Sequence, residues 1–304
     1  MLSICIPTYN CNVVKLVADL SQQCQESAID FEILVLEDGS PKLVDENAAI
    51  ENIEGAKHII SSENYGRSVT RNRLSDIAKG EKLIFIDCDS AIPDKLFIKR
   101  YLENSATDVV CGGTTYNELQ YSPEISLRYT FGTKVEKTPA TKRNLVPYSA
   151  FTTNNLMVSK KIFEKIRFCE ALKKYGHEDS LFGFELQENN IPILHIDNPV
   201  IHTGIENNET FLAKTKTGIE NLIAIRQIEG INSNFFNHIR LCRHYAKLKK
   251  LHLLWMVKLT FKLFCKSLEK HLLTSRHPKL MFFNLYKIGY LEWFVRTQNI
   301  ALLQ

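Results

Sequence analysis

The stretch KLIFIDCDSAIP, residues 82–93, runs four apolar residues, Leu83 to Ile86, straight into two carboxylates, Asp87 and Asp89. In an extended segment, residues i and i+2 project from one face. The two acids are therefore expected to point together, with Cys88 opposite. Like charges that close repel unless something positive sits between them, and a divalent cation is one candidate. The other reading is an acidic turn where a buried strand meets solvent. A second acid pair, Glu178 and Asp179 in GHEDS, opens a helical pattern. Adjacent helical residues lie about 100° apart, so only one of the two can face a reacting hydroxyl and take its proton. The alternative is an acid pair that stabilises a helix N-terminus through its dipole.

Such groups need a rigid frame, and the first half of the chain supplies one. LSICIP, FEILVLEDGS, KHIISS and KLIFIDCDS read as strands. Between them lie helical patterns over 12–24, near 42–52 and over 68–78. Continuous apolar strands separated by helices indicate parallel β-α units covered on both faces. Ligands of such sheets sit at the carboxyl ends of the strands. Three of these strands close in polar text: PTYN, EDGS and DCDS. Further on, DVVCGG (108–113) reads as a strand and 114–148 as a polar, turn-rich segment. FTTNNLMVSKKIFEKIRF reads as a short strand followed by a helix, and IPILHIDNPVIHTG as extended chain. The predicted class is α/β, with a helical region after it.

A chain of 304 residues can bury one large core or two modest ones. A content of 44% hydrophobic and 24% charged residues excludes a disordered chain. The eight cysteines form no C-x-x-C pair; they read as free thiols in a reducing compartment, not as a zinc site. LSICIP begins without a charged n-region, and no uncharged run approaches the ~20 residues of a membrane span. The expected location is cytoplasmic, with peripheral attachment to the cytoplasmic face of a membrane as a possibility raised by the charge distribution. Residues 1–235 carry 25 Lys+Arg against 32 Asp+Glu, net −7, and residues 236–304 carry 13 against 2, net +11.

The ordered series SICIPTYN, ILVLEDGS, NYGRSVTRN, FIDCDS and GHEDS resembles the family 2 glycosyltransferases of the GT-A fold, over about residues 1–204. The resemblance implies a GT-A domain at 1–204, Rossmann-like with a mostly parallel central sheet, followed by a helical, basic region at 205–304. It implies a nucleotide-sugar donor, a UDP-sugar as the expectation, and a saccharide or lipid-linked saccharide acceptor. Pro7, Thr8 and Tyr9 would approach the nucleotide, Asp38 the base, and Gly66 and Arg71 would lie beside it. Asp89 would bind Mn²⁺ or Mg²⁺ directly, with Asp87 reaching the ribose or a metal-bound water and Cys88 between them. His202 in PVIHTG becomes a third metal contact by the same resemblance, where a lone histidine on an apolar strand is otherwise structural. His177 and His195 keep the structural reading. Asp179 would be the catalytic base and Glu178 an acceptor contact, while Asn154 or Asn155 are weaker acceptor-side candidates. Family members often carry a basic residue where this chain has Glu185, which leaves the acceptor open.

The physical chemistry agrees. Departure of a nucleoside diphosphate accumulates negative charge, which a divalent cation offsets. Such a cation takes oxygen ligands and leaves positions for phosphates. The resemblance also implies inversion of stereochemistry. A nucleotidylyltransferase would carry a Gly-rich phosphate loop where PTYNCN stands; a catalytically silent nucleotide-binding or membrane-scaffolding protein would not need both acid pairs.

In the basic region Lys258, Lys262, Lys266 and Lys270 recur every four residues, interleaved with Leu259, Phe261, Leu263, Phe264 and Leu268. A basic amphipathic helix with aromatic residues can lie in an anionic membrane interface. The rival reading packs its apolar face on the acidic domain. No nucleic-acid motif is present.

Overall fold

The computed structural model describes residues 1–173, 175–228 and 230–298. The chain divides into two compact units. The first holds Met1–Asn117, Glu136–Lys173 and Asp179–Gly204; the second holds Glu118–Val135, Lys174–Glu178 and Ile205–Gln304.

The first unit is built on a seven-stranded sheet. Its strands are β1 (Leu2–Thr8), β2 (Phe31–Asp38), β3 (Ala56–Ser61), β4 (Lys82–Ile86), β6 (Val109–Cys111), β8 (Asn155–Ser159) and β9 (Leu194–His195). They run in the order β3-β2-β1-β4-β8-β6-β9. β1 to β4 pair in parallel, and β8 is antiparallel to both β4 and β6. The continuous apolar runs follow from burial on both faces. Ile4, Ile6, Ile33, Val35, Ile84 and Ile86 pack on one side with Val17 and Leu20 of α1 (Val14–Glu26). Cys5, Leu34, Leu83 and Phe85 pack on the other with Leu74 of α2 (Arg67–Ile77) and Phe163 of α4 (Lys160–Lys165). α3 (Phe97–Glu103) adds Phe97 and Tyr101 to the first side. Successive side chains alternate between the two cores.

β1 is the oldest element in sequence yet lies inside the sheet, with β2 on one side and β4 on the other. The direction of strand addition reverses there, which opens a crevice at the carboxyl ends of β1 and β4. A second, three-stranded sheet stands after these strands: β5 (Ser90–Ala91), β10 (Val200–His202) and β7 (Thr114–Thr115), in the order β5-β10-β7. β10 is antiparallel to β5, with His202 opposite Ser90.

The second unit is helical: α6 (Asn208–Ile225), α7 (Arg240–Lys250), α8 (Leu254–Thr274) and α9 (Leu280–Thr297), with the short helix Ser126–Phe131. Its core includes Leu127, Phe211, Leu212, Leu272, Phe283 and Tyr286. Asn208 is buried and ties three segments together. It accepts from Leu127 N–H at 2.8 Å and donates to Pro123 O and Leu273 O, each at 3.0 Å. The polar stretch read as one irregular segment, 114–148, is thus shared by the two units. α5 (Glu178–Glu188) straddles the division, which falls between Glu178 and Asp179.

Candidate active site

β4 ends at Ile86, and the chain turns at Cys88–Asp89. The alternation rule for strands therefore stops before the two acids, and the expectation that they project together from a strand does not hold. Each acid instead has a partner of its own. Arg71 Nη2 donates to Asp87 Oδ1 at 2.7 Å. Arg71 is 2% exposed, with its guanidinium 5.4 Å from the Phe168 ring centroid. Burying a charge this deeply requires a partner, and Asp87 is one. The backbone of Asp87 is held as well, donating to Asn154 O at 3.1 Å.

Asp89 faces His202, whose Nδ1 lies 3.7 Å from Asp89 Oδ1. That exceeds hydrogen-bond reach. His202 Nε2 is buried with no hydrogen-bond partner. The pairing of β5 with β10 sets this approach, and Thr203 fastens it: its N–H and its Oγ1 each donate to Asp89 O at 2.8 Å. Gly204 follows because a Cβ there would stand 2.7 Å from Asp89 Cβ. Burial pushes the Asp89 carboxyl up, but the neighbouring His202 and Arg67 bring it below its ordinary value.

An imidazole with an unsatisfied buried nitrogen beside an ionised carboxylate fits a divalent cation. Two ligands about 2.1 Å from a common ion stand about 3–4 Å apart, depending on the angle. Among the described residues no group of three or more His, Cys, Asp and Glu side chains could hold a metal by itself. Asp87 is engaged by Arg71, so Asp89 and His202 are the protein donors on offer. The remaining positions are left for ligand oxygens.

The side expected to receive the nucleotide is framed by the ends of β1 and β2. Asp38 is 5% exposed and accepts from Tyr65 N–H at 2.8 Å and Gly66 N–H at 2.9 Å, one on each carboxylate oxygen. It thereby fixes the turn into α2, where Gly66 takes φ +87°, a conformation glycine adopts without strain. Glu37, which the sequence reading passed over, is fully buried. It accepts from Asn47 Nδ2 at 3.0 Å and from Ser40 Oγ, and lies 3.3 Å from His58 Nε2. Asn47 in turn donates to Cys11 O at 2.8 Å, and Ser40 Oγ accepts from Asn10 N–H at 2.8 Å. A buried carboxylate thus aligns the loop after β1 with the loop after β2. Its signal in the sequence was the acid pair Glu37-Asp38, of which only the second had been singled out. Pro7 and Thr8 lie at the end of β1, and Tyr9, just beyond it, is 47% exposed. Cys88 meets the same loop, its carbonyl accepting from Cys11 Sγ at 3.2 Å.

The two acids assigned to the acceptor side stand on α5. Glu178 is buried; Asp179 is half-buried, with Oδ1 accepting from Ser180 N–H at 2.7 Å. Further along the helix, burial raises the Glu185 carboxyl to about 6. His177, just before the helix, has a buried Nδ1 without a partner, and burial lowers its pKa to about 4. His195 is structural: Arg143 Nη1 donates to its Nδ1 at 2.8 Å and its Nε2 donates to Pro147 O at 2.9 Å. Asn155 is fully buried and bonded to Tyr101 Oη, Gly113 O and Asn198 O, so it holds the core together. All eight cysteines are free, and burial pushes the thiols of Cys24 and Cys111 up to about 12.

Residues 3–174 match the family model described as glycosyl transferase family 2. That is more than half of the chain, and the protein belongs to this family; it is a glycosyltransferase. Over 220 residues it is 26% identical to the chondroitin synthase of Escherichia coli, covering 61% of this chain and 32% of that protein. The chain therefore spans about a third of that relative's length. Among solved structures, residues 1–349 of TarS from S. aureus superpose with a TM-score of 0.53 at 18% identity, covering 98% of this chain and 91% of that one. The mannosyltransferase PcManGT from Pyrobaculum calidifontis, in complex with GDP-Man and Mn²⁺, gives 0.58 at 13% identity over 98% and 86%. Glucosyl-3-phosphoglycerate synthase from Mycobacterium tuberculosis, in complex with Mn²⁺, UDP and glucosyl-3-phosphoglycerate, gives 0.50 at 15% identity over 74% and 79%. At these identities the likenesses define the fold, which is GT-A with a helical C-terminal region.

Proposed function

We propose that this glycosyltransferase moves a sugar from a nucleotide-sugar, a UDP-sugar first among them, to a hydroxyl of a saccharide acceptor, with inversion and with the help of Mn²⁺ or Mg²⁺. The observation that carries this reading is the Asp89–His202 pair, with its unsatisfied Nε2, at the crevice between β1 and β4. Structural neighbours in complex with Mn²⁺ and with UDP or GDP-Man support it. Asp89 and His202 would hold the cation. When bound, the cation offsets the charge that develops on the departing diphosphate.

The chain's own residues divide the remaining work. Asp38 and Gly66 shape the turn that receives the base, and the end of β1 at Pro7 and Thr8, with Tyr9 just beyond, flanks it. Arg71 holds Asp87 at a fixed angle toward the ribose, and Cys88 spaces Asp87 from Asp89. Asp179 accepts the proton of the acceptor hydroxyl as that oxygen attacks the anomeric carbon, and Glu178 binds acceptor hydroxyls. The acceptor would be a saccharide or lipid-linked saccharide of a cell-surface polysaccharide or glycolipid; the chondroitin synthase relative is consistent with this. Among the described residues no helix is long and apolar enough to cross a membrane. The +11 of residues 236–304 favours contact with an anionic membrane surface.

Donor hydrolysis across a panel of sugar nucleotides, with and without Mn²⁺, tests the reading. It expects one donor to be turned over with metal and spared in chelator. Equal turnover in chelator would remove the cation from the mechanism, and turnover of none of the sugar nucleotides would overturn the proposed donor class.

A further inference from the structure

The second unit carries a groove of about 610 Å³ between α8 and α9 that the transfer reaction does not use. Its apolar surface comes from Phe261, Tyr286, Tyr290 and Trp293. These rings form a run: Phe261 and Tyr286 are 5.7 Å apart, Tyr286 and Tyr290 6.2 Å, and Tyr290 and Trp293 5.4 Å. Gly289 lets the two helices close beneath them, since a Cβ there would stand 2.2 Å from Phe261. The volume is within the ordinary range of small-molecule sites, about 300–1,000 Å³.

The polar groups of the groove identify its ligand. Tyr286 Oη donates to Glu269 and Tyr290 Oη to Glu220, each at 2.5 Å. Lys216 is paired with Glu269 at 2.9 Å, Arg296 with Glu292, and Thr297 Oγ1 donates to Phe294 O. What remains on the rim is Lys258 and Lys262, both exposed, and neither is in an ion pair among the described residues. The ion pairs Lys216–Glu269 and Arg296–Glu292 cancel in charge, so the net charge of the rim is that of Lys258 and Lys262. The match is to a ligand with an apolar body and one anionic head. Beyond the lysines of the rim, α8 exposes Trp255, Leu259 and Leu263 at 61%, 49% and 63%, an apolar face that suits an acyl-rich layer.

We infer that this groove binds a single anionic amphiphile, an acyl chain lying along Tyr286, Tyr290 and Trp293 with its phosphate between Lys258 and Lys262. The inference deepens the membrane-surface reading above and takes its lipid source from that reading.

Trp255 and Trp293 are the two tryptophans of the chain, so Trp255→Phe leaves Trp293 as the reporter in the groove. Full-length Trp255→Phe protein is titrated with lysophosphatidylglycerol below its micellar concentration, and separately with vesicles of phosphatidylglycerol or phosphatidylcholine carrying brominated acyl chains. The expected result is a blue shift and bromine quenching of Trp293 with the anionic lipids. Adding Lys258→Glu and Lys262→Glu should weaken that binding by about 10-fold or more. Vesicle co-sedimentation without quenching would leave the surface reading intact and overturn the groove. Response to the soluble lipid without vesicle binding would keep the groove and overturn the bilayer as its source. Equal affinity for phosphatidylcholine, or no response of Trp293 to any lipid, would refute the inference.

Discussion

Arg71 donates to Asp87 across 2.7 Å from a side chain that is almost wholly buried. The pair joins α2 to the turn after β4, so Asp87 serves the fold as well as any ligand. Asp87→Ala removes a carboxylate from a buried cation, a change worth roughly 1.5–3 kcal/mol for a charged hydrogen bond. Thermal melts should show Asp87→Ala well below Asp89→Ala, whose side chain is 38% exposed. Equal melting temperatures would mean that the ion pair contributes nothing net.

Asp89→Ala and His202→Ala should each abolish Mn²⁺-dependent donor binding, read by calorimetry, and Asp89→Ala should leave stability within about 1 kcal/mol of the parent, as expected for a partly exposed acid. Gly204→Ala should act in the same direction by pushing Asp89 away from His202. A His202→Ala protein with unchanged metal dependence would leave Asp89 without its proposed co-ligand.

Asp179→Asn keeps the size and shape of the side chain but not its basicity. Transfer should fall by about 10²-fold or more with donor affinity retained. Should Glu178→Gln be the inactive variant instead, the roles of the two acids exchange.

The histidine before α5 should show in the pH dependence of stability. His177 has its pKa lowered from 6.5 to about 4 by burial, so between those values the unfolded chain binds a proton that the folded chain refuses. Stability should therefore fall as pH drops from about 6.5 toward 4. His177 has φ +73°, a conformation asparagine tolerates. His177→Asn should flatten that part of the profile in melts taken at several pH values; an unchanged slope would assign it to other groups.

The strands and their order of polar endings were legible because burial on both faces writes itself as unbroken apolar text. So was the family, since its motifs fall in sequence. What the text could not carry was the partner of each acid. Asp87 meets a residue 16 positions earlier and Asp89 one 113 positions later, and neither distance leaves a local pattern. The period-2 argument over Asp87 and Asp89 failed because the strand had already ended. Glu37 was overlooked for a related reason: its partners Asn47 and His58 are ordinary polar residues until the fold buries them. The split of 114–148 between two units was equally invisible, because Asn208, which gathers part of it, lies far downstream.

β10 closes on Ser90 only after some two hundred residues have been made. During synthesis, the parallel core around β1 and β4 can assemble while the residue that faces Asp89 is still inside the ribosome. On the reading proposed above, competence for the cation would come late, through a three-residue strand whose loop closure spans more than a hundred residues. A nascent or truncated chain ending before Val200 would lack the residue that faces Asp89, and with it the cation site proposed above.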